Sequence, residues 1–350
     1  MKAAVMEAFG APLTIHNDWT DPDCGPRDAV LELEACGICR SDHTIWNGGM
    51  EWMGIVPTLP CVMGHEYCGI VAEVGREVQG FKRGDRVVAP FCQACGTCEF
   101  CRAGHQNVCV SIQLPSMHFS GGYASLTKVA NADVNLVPLP ESVPSEAAAG
   151  LGCRFMTAYH GIVDQAAVKP GEWVAVFACG GVGLAAVNIA SALGAQVIAV
   201  SRSEEKLALA RKLGASFTVT AGPDAPAEVV ERTDGGAHVS VDALGAAETA
   251  IPALLSLRTR GRHLRLGVSN KKDQGQINVP VDLITFRELS FIGSFGMQAA
   301  RYPEMLRMVA SGKLVPQEMV GETVALEDAG DVLASMTGYE TVAMSVITSF

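Results

Sequence analysis

The hydrophobic and polar positions change their pattern along the chain. From residue 1 to about residue 90, short stretches alternate apolar and polar side chains, as in AVLELEACGI, GIVAEVGREV and GDRVVAPF. Alternation with a period of two, interrupted by turn residues, is typical of half-buried strands. The first part of the chain is therefore predicted to be an antiparallel β region.

A second pattern begins near residue 145, where SEAAAGLGCRFMTAYHGIV is helix-like with Ser145 as its candidate N-cap. Short apolar strands then alternate with helical stretches such as GLAAVNIASALG and EEKLALARKLG; the strands are WVAVFA, QVIAVS, FTVT, HVSVDAL and RHLRLGV. This alternation predicts an α/β fold with a doubly wound parallel sheet covered on both faces. After about residue 290 the alternation ends, and the tail TVAMSVITSF is predicted to rejoin the first domain.

The chain has 350 residues, which exceeds the usual size of one hydrophobic core. We therefore predict a β-rich domain over residues 1–150, a Rossmann domain over 151–290 and a returning segment over 291–350. The 26 basic and 37 acidic residues give a net charge of −11, which disfavours nucleic acid and anionic membranes as partners. Apolar stretches are too short for a membrane span, and MKAAVMEAFGAPL lacks a signal-peptide core, so a cytoplasmic protein is expected.

Four of the twelve cysteines are closely spaced in a Cys-x2-Cys-x2-Cys-x7-Cys pattern. They are Cys95, Cys98, Cys101 and Cys109. This density favours tetrahedral thiolate ligation of Zn²⁺ over a set of disulfides. The pattern predicts a structural zinc site.

A glycine-rich turn follows the first strand of the predicted Rossmann domain. The strand WVAVFA runs into Cys179, the turn and the helix LAAVNIASALG, with Ala178 in place of the first glycine of the usual motif. Glycines allow the backbone to approach a pyrophosphate, and the helix N-terminus offers it free N–H groups. The predicted cofactor-binding residues are Gly180, Gly181, Val182 and Gly183.

The end of the next predicted strand bears on the choice of cofactor. An acidic residue normally stands there and accepts hydrogen bonds from the ribose of NAD, but this chain has Ser201 and Arg202. The missing carboxylate removes repulsion of a 2′-phosphate, and the guanidinium can bind that phosphate. NADP(H) is the preferred cofactor, with NAD(H) as the alternative.

Two further motifs carry metal-ligand types apart from the cysteine cluster. Residues 36–42, CGICRSD, include Cys39, and residues 64–69, GHEYCG, include His65. Catalytic zinc typically has three protein ligands and one open position, whereas four thiolates close a structural site. Two metal sites per chain are therefore predicted.

Over essentially its whole length, and with these motifs in order, the chain resembles the zinc-containing medium-chain alcohol dehydrogenases. The resemblance implies a GroES-like catalytic domain at the N-terminus, completed by the C-terminal segment, together with a Rossmann domain. It also implies that Cys39, His65 and Cys153, the last in GCRFMTAY, bind the catalytic zinc, and that the four clustered cysteines bind the structural zinc. A homodimer or homotetramer is expected by the same analogy.

The family pattern implies roles for residues around these ligands. Glu66 matches a glutamate beside the zinc, and Asp42 matches a carboxylate that orients the histidine ligand. Ser41 corresponds to the hydroxyl that takes the alcohol proton. Arg40 corresponds to a residue near the cofactor pyrophosphate, and Thr157 to one near the nicotinamide.

The chain departs from the family pattern in two places. Many members have a histidine five residues after the first cysteine ligand, where this chain has Thr44; His43 stands one place earlier, either as a relay residue or as a surface histidine. Many relatives also carry Gly-Arg near the C-terminus against the cofactor phosphates, which this tail lacks. Arg40 is then expected to carry more of the phosphate contact.

The predicted reaction is the reversible oxidation of an alcohol to an aldehyde or ketone by hydride transfer to NAD(P)⁺. Zinc would stabilise the alkoxide, and Ser41 would carry the proton away. Alternatives are another reaction of the family, such as polyol or aldehyde oxidation or reduction of an activated double bond, and, more remotely, a non-catalytic zinc or redox sensor. Side chains expected to border the small-molecule substrate, with a plain core role as the alternative, are Trp46, Trp52, His118 and Phe119.

Overall fold

A computed structural model describes residues 1–269, 271–338 and 341–350. Its strands are, in chain order, β1 (Ala3–Met6), β2 (Thr14–His16), β3 (Ala29–Gly37), β4 (Cys61–Val62), β5 (Glu66–Val74), β6 (Arg86–Val88), β7 (Leu126–Val129), β8 (Val137–Pro138), β9 (Trp173–Phe177), β10 (Gln196–Ser201), β11 (Phe217–Thr220), β12 (Ala237–Asp242), β13 (Leu257–Arg265), β14 (Ser290–Gly293), β15 (Val320–Ala325) and β16 (Met344–Ser349).

The α-helices of the same ranges are α1 (Arg40–Trp46), α2 (Glu99–Arg102), α3 (Ala132–Asn135), α4 (Ser145–Ala149), α5 (Arg154–Tyr159), α6 (Gly181–Ala192), α7 (Glu204–Lys212), α8 (Ala225–Arg232), α9 (Ala247–Leu255), α10 (Val281–Phe286), α11 (Tyr302–Ala310) and α12 (Ala329–Ser335). A π-helical turn spans His160–Gln165. Short 3₁₀ segments span Glu51–Met53, Gln106–Val108, Gly150–Gly152, Ala299–Arg301, Pro316–Met319, Leu326–Asp328 and Met336–Gly338. No helix within the described ranges has the length and apolar character needed to cross a membrane.

The chain forms two compact units. The first comprises Met1–Met156, Gly296–Gly312 and Pro316–Phe350, and the second comprises Thr157–Phe295 and Lys313–Val315. The first unit contains β1–β8 together with β15 and β16, and the second contains β9–β14.

The second unit is built on a six-stranded parallel sheet. Its strand order is β11-β10-β9-β12-β13-β14, and every neighbouring pair is parallel. Numbered within this unit, the order is 3-2-1-4-5-6, the doubly wound arrangement of dinucleotide-binding folds. The predicted parallel sheet is confirmed. The sixth strand, β14, was not predicted from the sequence, because its four residues are mostly exposed and form no apolar run.

The first unit contains a mostly antiparallel sheet in the order β15-β16-β3-β5-β6-β8, with β7 also paired to β3. A smaller sheet has the order β2-β1-β4. β3 is long and central because its apolar positions are buried while Glu32 faces solvent. The C-terminal strand β16 pairs with β3, which explains the apolar character of the tail.

The helix-like stretch at residues 145–163 differs from its prediction. It consists of α4, a 3₁₀ turn, α5 and the π-helical turn. Cys153 lies between the 3₁₀ turn and α5, with φ −142° and ψ −66°. Gly152 is packed so closely that a Cβ there would lie 3.1 Å from Glu66 Cα. Ser145 is also not the N-cap: Pro144 occupies that position, and the Ser145 hydroxyl donates to Glu34. The break leaves Cys153 outside regular helix.

Candidate active site

The start of α1 places two candidate site residues next to each other. Cys39 is the N-cap residue of α1, and its backbone N–H donates to the Asp42 carboxylate at 2.9 Å. This is a variant of the capping box, in which the third helical residue satisfies a free N–H at the helix start. Both side chains are buried.

Asp42 also fixes the orientation of His65. His65 Nδ1 lies 2.8 Å from Asp42 Oδ1, and the Tyr123 hydroxyl donates to Asp42 Oδ2 at 3.1 Å. The imidazole is therefore held by one ring nitrogen, which leaves Nε2 available to another partner.

Four potential ligand atoms meet beside this pair. They belong to Cys39, His65, Glu66 and Cys153, all buried, and they lie within 4.8 Å of one another. His65 and Glu66 stand at the start of β5, Cys39 lies just after β3, and Cys153 lies in the break before α5. Residues far apart in sequence are therefore collected in one cluster within the first unit.

Burial and neighbouring groups shift the pKa values of the residues in this cluster. The hydrogen bond with Cys153, followed by the contact with His65, holds the pKa of Cys39 well below its usual value. Burial acts to lower the pKa of His65, but the Asp42 carboxylate outweighs it and raises that pKa. Burial raises the pKa of Glu66 to about 8, with Arg154 acting in the opposite direction. The site thus favours a thiolate at Cys39.

Three further predicted residues lie on α1. The Ser41 hydroxyl is 3.9 Å from Cys39 Sγ, at the limit of a thiol hydrogen bond. The Arg40 guanidinium donates to the carbonyl of Met336. The buried His43 ring has Nε2 3.3 Å from the Thr337 hydroxyl, and burial, followed by repulsion from Arg40, lowers its pKa.

The four residues predicted to border the substrate lie in different surroundings. Trp46 Nε1 donates to the Ala11 carbonyl at 2.7 Å, whereas Trp52 Nε1 is buried without an acceptor among the described residues. His118 accepts a hydrogen bond from the Leu114 backbone at the chain surface. Phe119 borders a cavity of about 230 Å³ whose lining residues are Trp19, Thr20, Asp21, Pro22, Asp23, Phe119, Ser120 and Lys128.

The four clustered cysteines form a second group. Their sulfur atoms lie 3.4 to 3.9 Å apart where they contact, namely Cys98 to Cys101, Cys98 to Cys109 and Cys95 to Cys101. These distances exceed a disulfide bond and match the edge of about 3.8 Å of a tetrahedron with Zn–S bonds near 2.3 Å. Backbone N–H groups point at the sulfurs, and hydrogen bonds from Thr97 lower the pKa of Cys95 to about 6.

Cys92 lies outside this group. Its thiol is buried and donates to the Met297 carbonyl at 3.4 Å, and burial raises its pKa to about 12. These surroundings are those of a small buried residue.

In the second unit, the glycine-rich turn joins β9 to α6. Gly180 is the N-cap residue of α6, and Gly181, Val182 and Gly183 form its first turn. A Cβ on Gly183 would collide with the Ala178 carbonyl oxygen, so only glycine allows this close approach of turn and helix. Ala178 has a left-handed backbone with φ +72°, the conformation that usually calls for glycine.

The remaining predicted cofactor residues also lie in the second unit. Ser201 ends β10, and its hydroxyl accepts a hydrogen bond from the backbone of Ser203. Arg202 follows directly and is exposed. Thr157 is buried within α5.

The arrangement matches known proteins along the whole chain. The model of the alcohol dehydrogenase GroES-like domain matches residues 25–141, and that of the zinc-binding dehydrogenase matches residues 181–311. An alcohol dehydrogenase of Geobacillus stearothermophilus is 33% identical over 337 residues, which cover 96% of each chain. The chain belongs to the zinc-containing medium-chain dehydrogenase family. The predicted family, fold class and enzyme class are confirmed.

Solved structures of relatives share the fold of this dehydrogenase. The crystal structure of an NAD-dependent alcohol dehydrogenase matches with a TM-score of 0.88 and 33% identity, covering 100% of both chains. A zinc-binding dehydrogenase of Sinorhizobium meliloti 1021, solved bound to NADP, matches with a TM-score of 0.85 and 28% identity, covering 99% of this chain and 98% of its own.

Two residues near the cluster of this dehydrogenase were not anticipated from sequence. Arg154 donates from Nε to both carboxylate oxygens of Glu66, at 3.1 and 3.0 Å, and Tyr123 donates to Asp42. The only sequence signal for Arg154 was its place directly after Cys153. Tyr123 stands in GGYA, which carries no signal for a metal site.

Proposed function

We propose that this chain is an NAD(P)-dependent, zinc-containing alcohol dehydrogenase that interconverts an alcohol and its aldehyde or ketone. The observation that carries the proposal is the buried group of Cys39, His65 and Cys153, with His65 held by Asp42. A non-catalytic sensor has no need of this group together with Ser41 and a dinucleotide turn. The family relationship supports the same reading.

The donor set fits a catalytic zinc ion. Two sulfur ligands and one imidazole nitrogen suit Zn²⁺, and the carboxylate on the second ring nitrogen of His65 is the usual support for a zinc-binding histidine. We therefore propose that Cys39, His65 and Cys153 hold this ion. The four clustered cysteines, which offer only thiolates, would hold a second, structural ion.

The chain's own residues then handle the substrate and its proton. When bound, Zn²⁺ would supply Lewis acidity and the nicotinamide cofactor would supply the hydride chemistry. We propose that Ser41, whose hydroxyl lies 3.9 Å from Cys39 Sγ, takes the proton of the alcohol. We propose that His43 supports the end of α1 rather than relaying the proton, because both ring nitrogens have partners: Nε2 contacts the Thr337 hydroxyl and Nδ1 contacts the side-chain amide of Asn47.

For the cofactor, we propose a preference for NADP(H). The end of β10 offers the neutral hydroxyl of Ser201 and the exposed guanidinium of Arg202 in place of a carboxylate. A guanidinium can bind a phosphate through two parallel hydrogen bonds. Relatives include both an NAD-dependent enzyme and a protein bound to NADP, so the local residues carry this argument.

The partner of the site is proposed to be a small alcohol or carbonyl compound. A cytoplasmic location and a homodimeric or homotetrameric assembly are further proposals that rest on analogy with the family.

Metal analysis of the purified protein tests the proposed function. We expect about two zinc ions per chain in the wild-type protein. The Cys39→Ser variant is expected to lose one of these ions and also to lose alcohol-dependent reduction of NAD(P)⁺. Cys61→Ser, which changes a buried cysteine outside both clusters, is the matched control and is expected to keep both ions. An active Cys39→Ser protein with unchanged zinc content would overturn the catalytic assignment.

A further inference from the structure

Arg154 is a buried arginine directly beside a proposed metal ligand. Only 6% of the residue is exposed, and its guanidinium forms hydrogen bonds in two directions. Nε donates to both carboxylate oxygens of Glu66, and a terminal nitrogen donates to the Ile38 carbonyl at 2.6 Å. The backbone N–H of Arg154 also donates to Glu66, at 3.2 Å. Side chain and backbone therefore hold the same carboxylate.

The end of β3 also confines the Glu66 carboxylate. A Cβ on Gly37 would lie 2.6 Å from Glu66 Oε2, and the same Cβ would lie 3.1 Å from Met344 Sδ. Only a residue without a side chain leaves room for the carboxylate here. The Glu66 carboxylate is thus close to both Gly37 and Arg154, with no exposure to solvent.

Glu66 nevertheless lies within reach of the proposed zinc ligands. Its carboxylate belongs to the group of atoms within 4.8 Å of one another, together with Cys39, His65 and Cys153. A carboxylate is a good zinc ligand, and four protein ligands would close the tetrahedral site. A buried carboxylate also requires a cationic partner, which can be either the guanidinium or the metal.

We propose that Arg154 is a positioning residue that keeps the Glu66 carboxylate off the metal, so that the site has three protein ligands and one position for substrate. This inference rests on the proposed function, since it presupposes a metal ion at Cys39, His65 and Cys153. Arg154 competes with the metal for the carboxylate. When the guanidinium is removed, the metal is the cation that remains within reach of Glu66.

The test replaces Arg154 with methionine, which has no charge and is also a flexible side chain. Zinc in the Cys39 site is exchanged for Co²⁺, whose visible spectrum reports the number and type of ligands, and imidazole is titrated as a probe of the open position. Wild type is expected to bind imidazole with a spectral change. Arg154→Met is expected to retain Co²⁺, to show an altered spectrum before imidazole is added and to bind imidazole at least about tenfold more weakly.

Three further variants separate this role from a general effect on folding. Arg154→Met combined with Glu66→Gln removes the competing carboxylate and is expected to restore imidazole binding. Arg154→Lys keeps the charge and is expected to lie close to wild type. Arg86→Met is the matched control, because Arg86 donates from Nε to Glu34 at 2.8 Å on the same sheet, away from the cluster; its cobalt spectrum and imidazole binding are expected to be unchanged.

Several results would overturn the inference alone. One is unchanged imidazole binding in Arg154→Met, and another is a double variant that binds imidazole no better than the single one. If Arg154→Met does not fold, Arg154→Gln is decisive by the same two criteria. A wild-type protein that binds no Co²⁺ at the Cys39 site would instead overturn the proposed function itself, so the two failures are distinguishable.

Discussion

At the scale of single residues, Asp42 joins the folding of α1 to the chemistry of the site. Its carboxylate accepts from the Cys39 backbone, from Tyr123 and from His65. Family resemblance assigned Asp42 its contact with the histidine, but the bonds to Cys39 and Tyr123 follow only from the folded chain. One side chain thus caps the helix that carries one proposed ligand and orients another.

Asp42→Asn should weaken metal binding. The amide has one acceptor oxygen in place of two and no negative charge, so it cannot support His65 and the Cys39 backbone equally well. We expect the zinc affinity of the catalytic site to fall about 10- to 100-fold, measured by competition with a chromophoric chelator. Tyr123→Phe, which leaves the carboxylate in place, should have a smaller effect; equal affinities of Asp42→Asn and wild type would contradict the assignment.

Arg202→Ala should change cofactor selectivity. The KM for NADPH is expected to rise about tenfold or more while the KM for NADH changes little, because only NADP(H) carries the 2′-phosphate. Steady-state kinetics with both cofactors measure this split. Arg211→Ala, which changes an arginine on α7 that bonds to Glu204, serves as the control. Equal use of both cofactors, unchanged in Arg202→Ala, would remove the NADP(H) proposal.

At the scale of elements, regular secondary structure breaks off next to the candidate site residues. α4 and α5 are separated at Cys153, and β9 passes into α6 through a turn in which Ala178 has φ +72°. Periodicity predicted the strands and helices on either side of these breaks. It could not predict the breaks themselves, because they depend on close approaches such as those of Gly152 to Glu66 and of Gly183 to Ala178.

Ala178→Gly should raise the free energy of unfolding. A left-handed backbone costs an alanine roughly 1 kcal/mol, a cost that glycine avoids, although glycine has a more flexible unfolded state. We expect a net stabilisation of up to about 1 kcal/mol by urea denaturation. Ala175→Gly, the same change in the middle of β9, should destabilise by about 1 kcal/mol. Losses of stability of similar size in the two variants would contradict the assignment of backbone strain to Ala178.

At the scale of the whole molecule, the polar groups buried in the parallel sheet make stability depend on pH. His263 on β13 is completely buried beside Ser240. Its Nδ1 lies 3.0 Å from the Ser240 hydroxyl, whereas Nε2 has no hydrogen-bond partner among the described residues. Burial, followed by repulsion from Arg265, lowers the pKa of His263 from 6.5 to about 4. The folded protein therefore holds this histidine neutral.

Acidification should destabilise the protein through His263. Its folded pKa lies below the unfolded one, so between pH 6.5 and pH 4 the unfolded chain binds the extra proton. The free energy of unfolding therefore falls as the pH drops below 6.5. At pH 5, protonation of this one group in the unfolded chain lowers it by about 2 kcal/mol. Urea titrations at pH 7 and pH 5 should show the loss, and it should shrink in His263→Gln but not in His105→Gln, an exposed control. An unchanged pH dependence in His263→Gln would contradict the prediction.

By itself, the sequence determined the strand and helix pattern of the Rossmann unit, the closely spaced cysteines and the residue types at the end of β10. These features are local in the chain, so spacing and periodicity reveal them. Only the tertiary structure decided which cationic group meets Glu66, which carboxylate oxygens hold Cys39, His65 and Tyr123, and where the helix around Cys153 breaks. Apart from the bond between Asp42 and Cys39 at the start of α1, those contacts join residues far apart in the chain. No local pattern records them, because they form only when α1, β5 and the segment before α5 come together.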